Sequence, residues 1–324
     1  YVMTLITAHE FGHVLGLDHP DQANPKQTVD AIMNSNVSGT AFLQADDIAG
    51  AQSLYGARSG APAESFGHGR LANISTRGQV GTGADAMIGG FIVVDAPKAV
   101  LIRALGPSLP VSGALADPVL ELHDGSGAII STNNNWKDNA AQAQQISGTG
   151  VAPTDNREAA IYATLAPGNY TAVVTGNGST TGVALVEVYD LAQSSGKLAN
   201  ISTRGQVGTD QDVLIGGVIL GGPQAIRIIV RAIGPSLSSS IPDALADPML
   251  ELHNANGDLL KSNDNWQTGD TDSSIGNSGI APKNPNESAV SAYLAPGNFT
   301  AIVRGKNNSS GVGLVEVYDV TPTG

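Results

Sequence analysis

The sequence predicts a multidomain chain: the helical C-terminal part of an α+β catalytic domain, followed by two all-β antiparallel sandwich domains. Three observations predict it. Residues 1–57 show apolar spacing of the helical kind and hold His9, His13 and His19. From residue 70 onward, short apolar stretches are separated by Gly, Pro, Asn and Asp clusters, which is how antiparallel strands and their turns read. That second part is also written twice.

In chain order, the first element is helical. Val2, Leu5 and Ile6 stand with Val14 and Leu15 at helical spacing and give residues 2–15 an apolar back. A second helical pattern runs from Leu43 to Tyr55. Asp46 and Asp47 fall in its first turn, where the helix dipole favours anions, and Gly56 is a natural stop. Residues 58–69 are small, polar and rich in Pro and Gly, which reads as a linker.

The duplication comes next. LANISTRGQVGT occupies Leu71–Thr82 and returns at Leu198–Thr209, 127 residues later. ADPVLELH at Ala116–His123 returns as ADPMLELH at Ala246–His253, and GVALVEVYD at Gly182–Asp190 returns as GVGLVEVYD at Gly311–Asp319. The period far exceeds that of a solenoid, so each copy, 70–192 and 197–321, reads as a domain in its own right. Strands are expected at Ala99–Ala104, Val119–His123, Tyr170–Thr175 and Ala184–Tyr189 and at the matching places in the second copy. Arg103, Glu121 and Glu187, with Arg231, Glu251 and Glu316, are charges inside apolar strands. They point to inter-strand ion pairs or exposed faces rather than chemistry.

Composition excludes several classes. With 16 Lys and Arg against 29 Asp and Glu, the formal charge is −13, which repels phosphate backbones and makes nucleic acid a poor partner. There is no Cys, so neither disulfides nor thiolate metal sites are available. No apolar run reaches the ~18 residues of a membrane helix. The chain opens without Met and inside a helical pattern, and it carries no signal peptide. An N-terminal portion with an export signal is therefore expected ahead of it.

The chemistry is concentrated in His9-Glu10-Phe11-Gly12-His13-Val14-Leu15-Gly16-Leu17-Asp18-His19, the pattern HExxHxxGxxH. Residues four apart on a helix sit on one side, about 6 Å apart along the axis, so His9 and His13 aim two imidazoles at one ion. Glu10 is rotated by about 100° and lies beside the ion, where it can take a proton from bound water. Gly16 ends the helix and lets His19 return as a third ligand. Three imidazoles with one open position describe a catalytic zinc site rather than a closed structural one.

This pattern is the signature of the metzincin metalloproteases. Asp30-Ala31-Ile32-Met33-Asn34 resembles the family's Met-turn, with Met33 beneath the three ligands, and Leu43–Gly56 resembles the last catalytic helix of the matrixin branch. Pro20 departs from that branch, which usually has Ser after the third His, and is closer to the serralysin branch. The resemblance covers residues 1–57. It implies a secreted zinc endopeptidase acting on protein or peptide substrates, with His9, His13 and His19 as ligands and Glu10 as general base. Without the family's upper subdomain, the chain alone is expected to show negligible proteolysis.

The repeated part resembles the β-sandwich domains appended to secreted bacterial proteases, of the pre-peptidase C-terminal type, on its Asp-Pro-x-Leu-Glu-Leu-His and Ala-Pro-Gly-Asn-Tyr/Phe-Thr segments. That resemblance implies an accessory role toward a cell-surface or matrix polymer. The alternative function is an extracellular adhesion or structural protein whose β-modules carry the activity. The loops of the repeat offer one further metal site. Asp117, Asn133 and Asn135, and their counterparts Asp247, Asn263 and Asn265, are oxygen donors of the kind Ca²⁺ takes, against the plainer reading of Asx-turn chemistry. Trp136 and Trp266 read as core residues rather than sugar-stacking platforms.

Overall fold

The computed structural model describes residues 22, 69–191, 196–210, 212–268 and 273–321. His9, Glu10, His13, His19, Met33 and the linker up to residue 68 lie outside the described residues. Two compact units divide the chain, Tyr1–Gly67 and His68–Gly324, and nearly all the described residues belong to the second.

The second unit is almost wholly antiparallel β-structure. The first copy supplies β1 (Arg70–Val80), β2 (Met87–Val94), β3 (Lys98–Leu105), β4 (Pro118–His123), β5 (Ile129–Asn133), α1 (Ala140–Gly148), β6 (Ala159–Leu165), β7 (Gly168–Gly176) and β8 (Gly182–Asp190). The second supplies β9 (Lys197–Val207), β10 (Leu214–Gly221), β11 (Ile226–Ile233), β12 (Pro248–Asn254), β13 (Leu259–Asn263), α2 (Ser273–Gly276), β14 (Ser288–Leu294), β15 (Gly297–Gly305) and β16 (Gly311–Asp319). Most strands alternate buried and open positions, as β2 does, because one face meets the core and the other meets solvent. By contrast β3 is buried almost throughout. Its Val100 and Ile102 face the main core, while Leu101 faces a smaller cluster with Trp136, Ile146 and Ala160 beside α1.

The strands pair across the copies. One ladder runs β6-β3-β8-β1 and continues through β10-β15-β12-β13. The other runs β14-β11-β16-β9 and continues through β2-β7-β4-β5. Each ladder thus takes half its strands from each copy. The two meet where Gln79 of β1 pairs with Gln206 of β9, and Thr76 Oγ1 donates to Thr203 Oγ1 at 2.7 Å nearby. In both pairs the partners hold the same place in the repeat. Equivalent residues touch one another only at a two-fold axis, so the copies are joined as a homodimer would be.

Small residues permit this junction. A Cβ on Gly90 would lie 2.8 Å from Ser202 Oγ, and one on Gly217 2.5 Å from Ser75 Oγ. The core is correspondingly continuous: Phe91, Val186 and Leu120 of the first copy belong to one buried cluster with Ile201, Val315 and Leu250 of the second. At about 25 cal/mol per Å² of apolar surface, a cluster of this kind is the main favourable contribution to folding.

Helix α1 was not anticipated in the sequence. Asn139 caps it, accepting from the amides of Ala141 and Gln142, as Asn prefers to do at a helix start. Gln142 then binds the backbone of Tyr162 in β6 twice, donating to its carbonyl at 3.1 Å and accepting from its amide at 3.0 Å. The side-chain amide stands in for a neighbouring strand at what is otherwise an open sheet edge.

Candidate functional site

The described residues offer three polar constellations, each present in both copies. The first is buried in β3 and β8. Arg103 and Glu187 are register partners; Arg103 Nε donates to Glu187 Oε2 at 2.8 Å, and a second guanidinium nitrogen reaches the same oxygen. Tyr189 donates to Glu187 Oε1 at 3.0 Å, and the guanidinium carbon lies 4.9 Å from the centre of its ring. Arg231, Glu316 and Tyr318 repeat this between β11 and β16. Burial, then the neighbouring Glu187, pushes the Tyr189 hydroxyl up to about 12, and burial with Glu316 does the same for Tyr318. The third Arg103 nitrogen donates to the Val151 carbonyl. With its donors and acceptors matched inside the protein, the cluster staples strands and leaves no group free for chemistry.

The second is a carboxylate with no exposure at all. Glu158 Oε1 accepts from the amides of Gly106 and Ser108 and from the Ser108 hydroxyl, and Oε2 accepts from the amide of Asp155. Glu287 repeats the role with Gly234, Ser236 and Asn284. The segments Arg103-Ala104-Leu105-Gly106-Pro107-Ser108-Leu109 and Arg231-Ala232-Ile233-Gly234-Pro235-Ser236-Leu237 are nearly identical because they must wrap this carboxylate. Sequence reasoning passed over Glu158; its matched place beside Asn156-Arg157 and Asn286, with Ala-rich strands following, was the available signal.

The third contains the oxygen-rich loops. Asn133 spends its amide on the backbone: Oδ1 accepts from Ala160 at 2.9 Å and Nδ2 donates to the Asn135 carbonyl at 3.1 Å. Asn135 donates to Asp138. Asn263 likewise accepts from Ala289 and donates to the carbonyls of Asn265 and Thr268. These are turn-locking bonds of the Asx kind. Asp117 accepts from Asn177 Nδ2 at 2.8 Å. At the matching place in the second copy, Lys306 Nζ lies 3.4 Å from Asp247 Oδ2 and 2.7 Å from Asp264 Oδ2. The cation between those carboxylates is the chain's own ammonium, and its pKa is raised chiefly by the bond to Asp264. Among the described residues no group of three or more His, Asp and Glu side chains converges as a metal site.

His123 and His253 lie in strands and face Glu121 and Glu251, at 3.1 and 3.2 Å. Trp136 is buried and donates to the Asp155 carbonyl, as a core residue does. Among the described residues no helix is long and apolar enough to cross a membrane.

Residues 1–56 match the matrixin family of peptidases, so the N-terminal part is matrixin-like. No curated protein matches the chain. Among solved structures, the major capsid protein of bacteriophage PM2 is similar over 76% of this chain and 98% of its own, at 9% identity and a TM-score of 0.20. The Sulfolobus Turreted Icosahedral Virus structure is similar over 77% and 90%, at 10% identity and 0.22. A DUF4785 family protein from Legionella pneumophila is similar over 78% and 84%, at 9% and 0.21.

Proposed function

We propose that the protein is a secreted zinc metalloendopeptidase in which His9, His13 and His19 hold the metal and Glu10 is the general base. The single observation that carries the reading is the match of residues 1–56 to the matrixin family, with the whole HExxHxxGxxH pattern inside the matched span. The donor chemistry fits: three neutral imidazoles are the ligand set zinc takes when one position is kept for reaction. When bound, zinc polarises a peptide carbonyl and lowers the pKa of water.

Each residue then has one task. His9, His13 and His19 would hold the ion as its three protein ligands. Glu10 accepts a proton during attack on the peptide carbon and returns it to the leaving amine. Met33, the Met-turn residue of the resemblance, would have a packing role and take no part in proton transfer. The repeated β-unit is an accessory part that engages a surface or matrix polymer.

The test is made on the full natural protein. Zinc is measured by metal analysis, and casein hydrolysis is compared with that of Glu10→Ala. The proposal expects one zinc per chain in both proteins and a fall in hydrolysis of at least about a hundred-fold in the variant, the scale of a lost general base. Full activity in Glu10→Ala, or no zinc in the wild type, refutes it.

A further inference from the structure

A cavity of about 380 Å³ opens at the seam between the copies, where β1 meets β9. Arg77, Gln79, Ser112, Val183, Gln206 and Asp212 are among the residues lining it. The volume lies within the range of small-ligand sites, which combine apolar walls with a few convergent polar groups.

Arg77 sets it apart. Among the described arginines, Arg70, Arg103, Arg157 and Arg231 pair with carboxylates, Arg227 and Arg304 bond to Ser291 and to the Asp210 carbonyl, and Arg204 also has a partner. The Arg77 side chain alone has neither hydrogen bond nor ion pair among the described residues. Asp212 lines the same cavity without reaching ion-pair distance of it. In a chain of net charge −13, with carboxylates in surplus, Arg77 is the described arginine whose side chain bonds to neither a carboxylate nor any other described group. Its counterpart in the second copy, Arg204, is not left so.

We infer that this cavity binds a short peptide by its free C-terminal carboxylate, with Arg77 as the anchor. A guanidinium presents paired N–H donors that match a carboxylate in a forked geometry. The amides of Gln79 and Gln206 and the carboxylate of Asp212 are suited to a peptide's own N–H and C=O groups, and Val183 to an apolar side chain. Peptide cleavage releases such termini, so the choice of a peptide rests on the peptidase reading; the demand for a carboxylate does not.

The probe is N-acetyl-trivaline with a free carboxylate, titrated into the 324-residue chain by calorimetry, beside the same peptide as its C-terminal amide and beside acetate. The acid is expected to bind saturably. The amide, and the acid on Arg77→Gln, are expected to bind at least about ten-fold more weakly, the scale of one charge-assisted hydrogen bond. Arg204→Gln should stay within about two-fold of wild type, because Arg204 is not among the residues lining the cavity. Should Arg77→Gln fail to fold, Ser112→Trp fills the cavity from an exposed loop position with Arg77 in place, and must also abolish binding. Equal affinity for acid and amide, unchanged binding in the folded variants, or no saturable binding overturns the proposal. Acetate binding as tightly as the peptide overturns the peptide in favour of a bare anion site. The titration needs no turnover, so its failure leaves the Glu10 experiment untouched, and failure of that experiment leaves the carboxylate site standing.

Discussion

Arg103 of β3 stands directly opposite Glu187 of β8, and two guanidinium nitrogens converge on one carboxylate oxygen that both strands bury. Strand β8 is paired on its other side to β1, where Ser75 faces the same Glu187. The ion pair therefore lies inside a ladder, not on its rim. Removing one partner from such a pair leaves the other buried and uncompensated. Glu187→Ala is expected to lower the unfolding free energy by about 3 kcal/mol. Urea denaturation checks it, and a loss below about 1 kcal/mol, the scale of an exposed pair, would show that solvent reaches the site.

The tyrosines that close these clusters give a pH dependence. Their hydroxyls are raised to about 12 from an ordinary value of 10, so the folded chain holds protons the unfolded chain has lost. That contribution is fully present below pH 10 and disappears as pH rises from about 10 to 12. Stability should fall through that window, and the phenolate absorbance of Tyr189 and Tyr318 should emerge only near pH 12. Tyr189→Phe with Tyr318→Phe should flatten the fall; an unchanged alkaline profile would refute the assignment.

At low pH the informative group is Asp155. Its carboxyl is held down at about 2 by the Arg157 side chain first and the Arg157 amide second. A depressed acid stabilises the fold above its ordinary pKa of 3.8 and loses that effect as pH falls toward 2. Carbon-detected NMR titration should find Asp155 still mostly ionised about one unit above that midpoint, and Arg157→Gln should move the midpoint upward.

The buried carboxylates differ between the copies. Glu158→Gln replaces an acceptor by a donor facing backbone amides, with an expected cost of about 3 kcal/mol. Glu287→Gln should cost less, because Glu158 also accepts from the Ser108 hydroxyl, whereas the partners of Glu287 among the described residues are amides. Paired chemical denaturation curves decide it, and the reverse order would contradict this ranking.

Gly106 and Gly234 test the same turn from the backbone side. An added Cβ at either would overlap the carbonyl oxygen of Leu115 or of Leu245, which is main chain and has no rotamer to escape by. Each Gly→Ala change is expected to cost about 3 kcal/mol. Gly90→Ala meets only the Ser202 hydroxyl at close range, which can turn aside, so its thermal midpoint should drop by much less.

Much was legible before any coordinates. The strand at Ala184–Tyr189 sits inside β8, and the one at Ala99–Ala104 inside β3, because alternating or continuous apolar runs bounded by turn residues are local signals. Of the charges read as inter-strand ion pairs or exposed faces, Arg103 pairs with Glu187 and Arg231 with Glu316 across strands, whereas Glu121 and Glu251 are partly exposed and meet His123 and His253 of their own strands. The HExxHxxGxxH pattern points to zinc chemistry by its spacing in the sequence, and it lies outside the described residues. Helix α1 was missed because Ala-Ala-Gln-Ala-Gln-Gln has little apolar periodicity, although Asn139 was a legible cap.

Residue order alone determined what is local: where several of the strands lie and which segments are duplicated. Tertiary structure alone decided that β1 would pair with β10 and β2 with β9, so that both ladders are drawn from both copies and Thr76 meets Thr203. Strand pairing across more than a hundred residues leaves no trace in a short window, because any strand edge offers the same N–H and C=O groups. Only the fit of side chains in three dimensions selects among them.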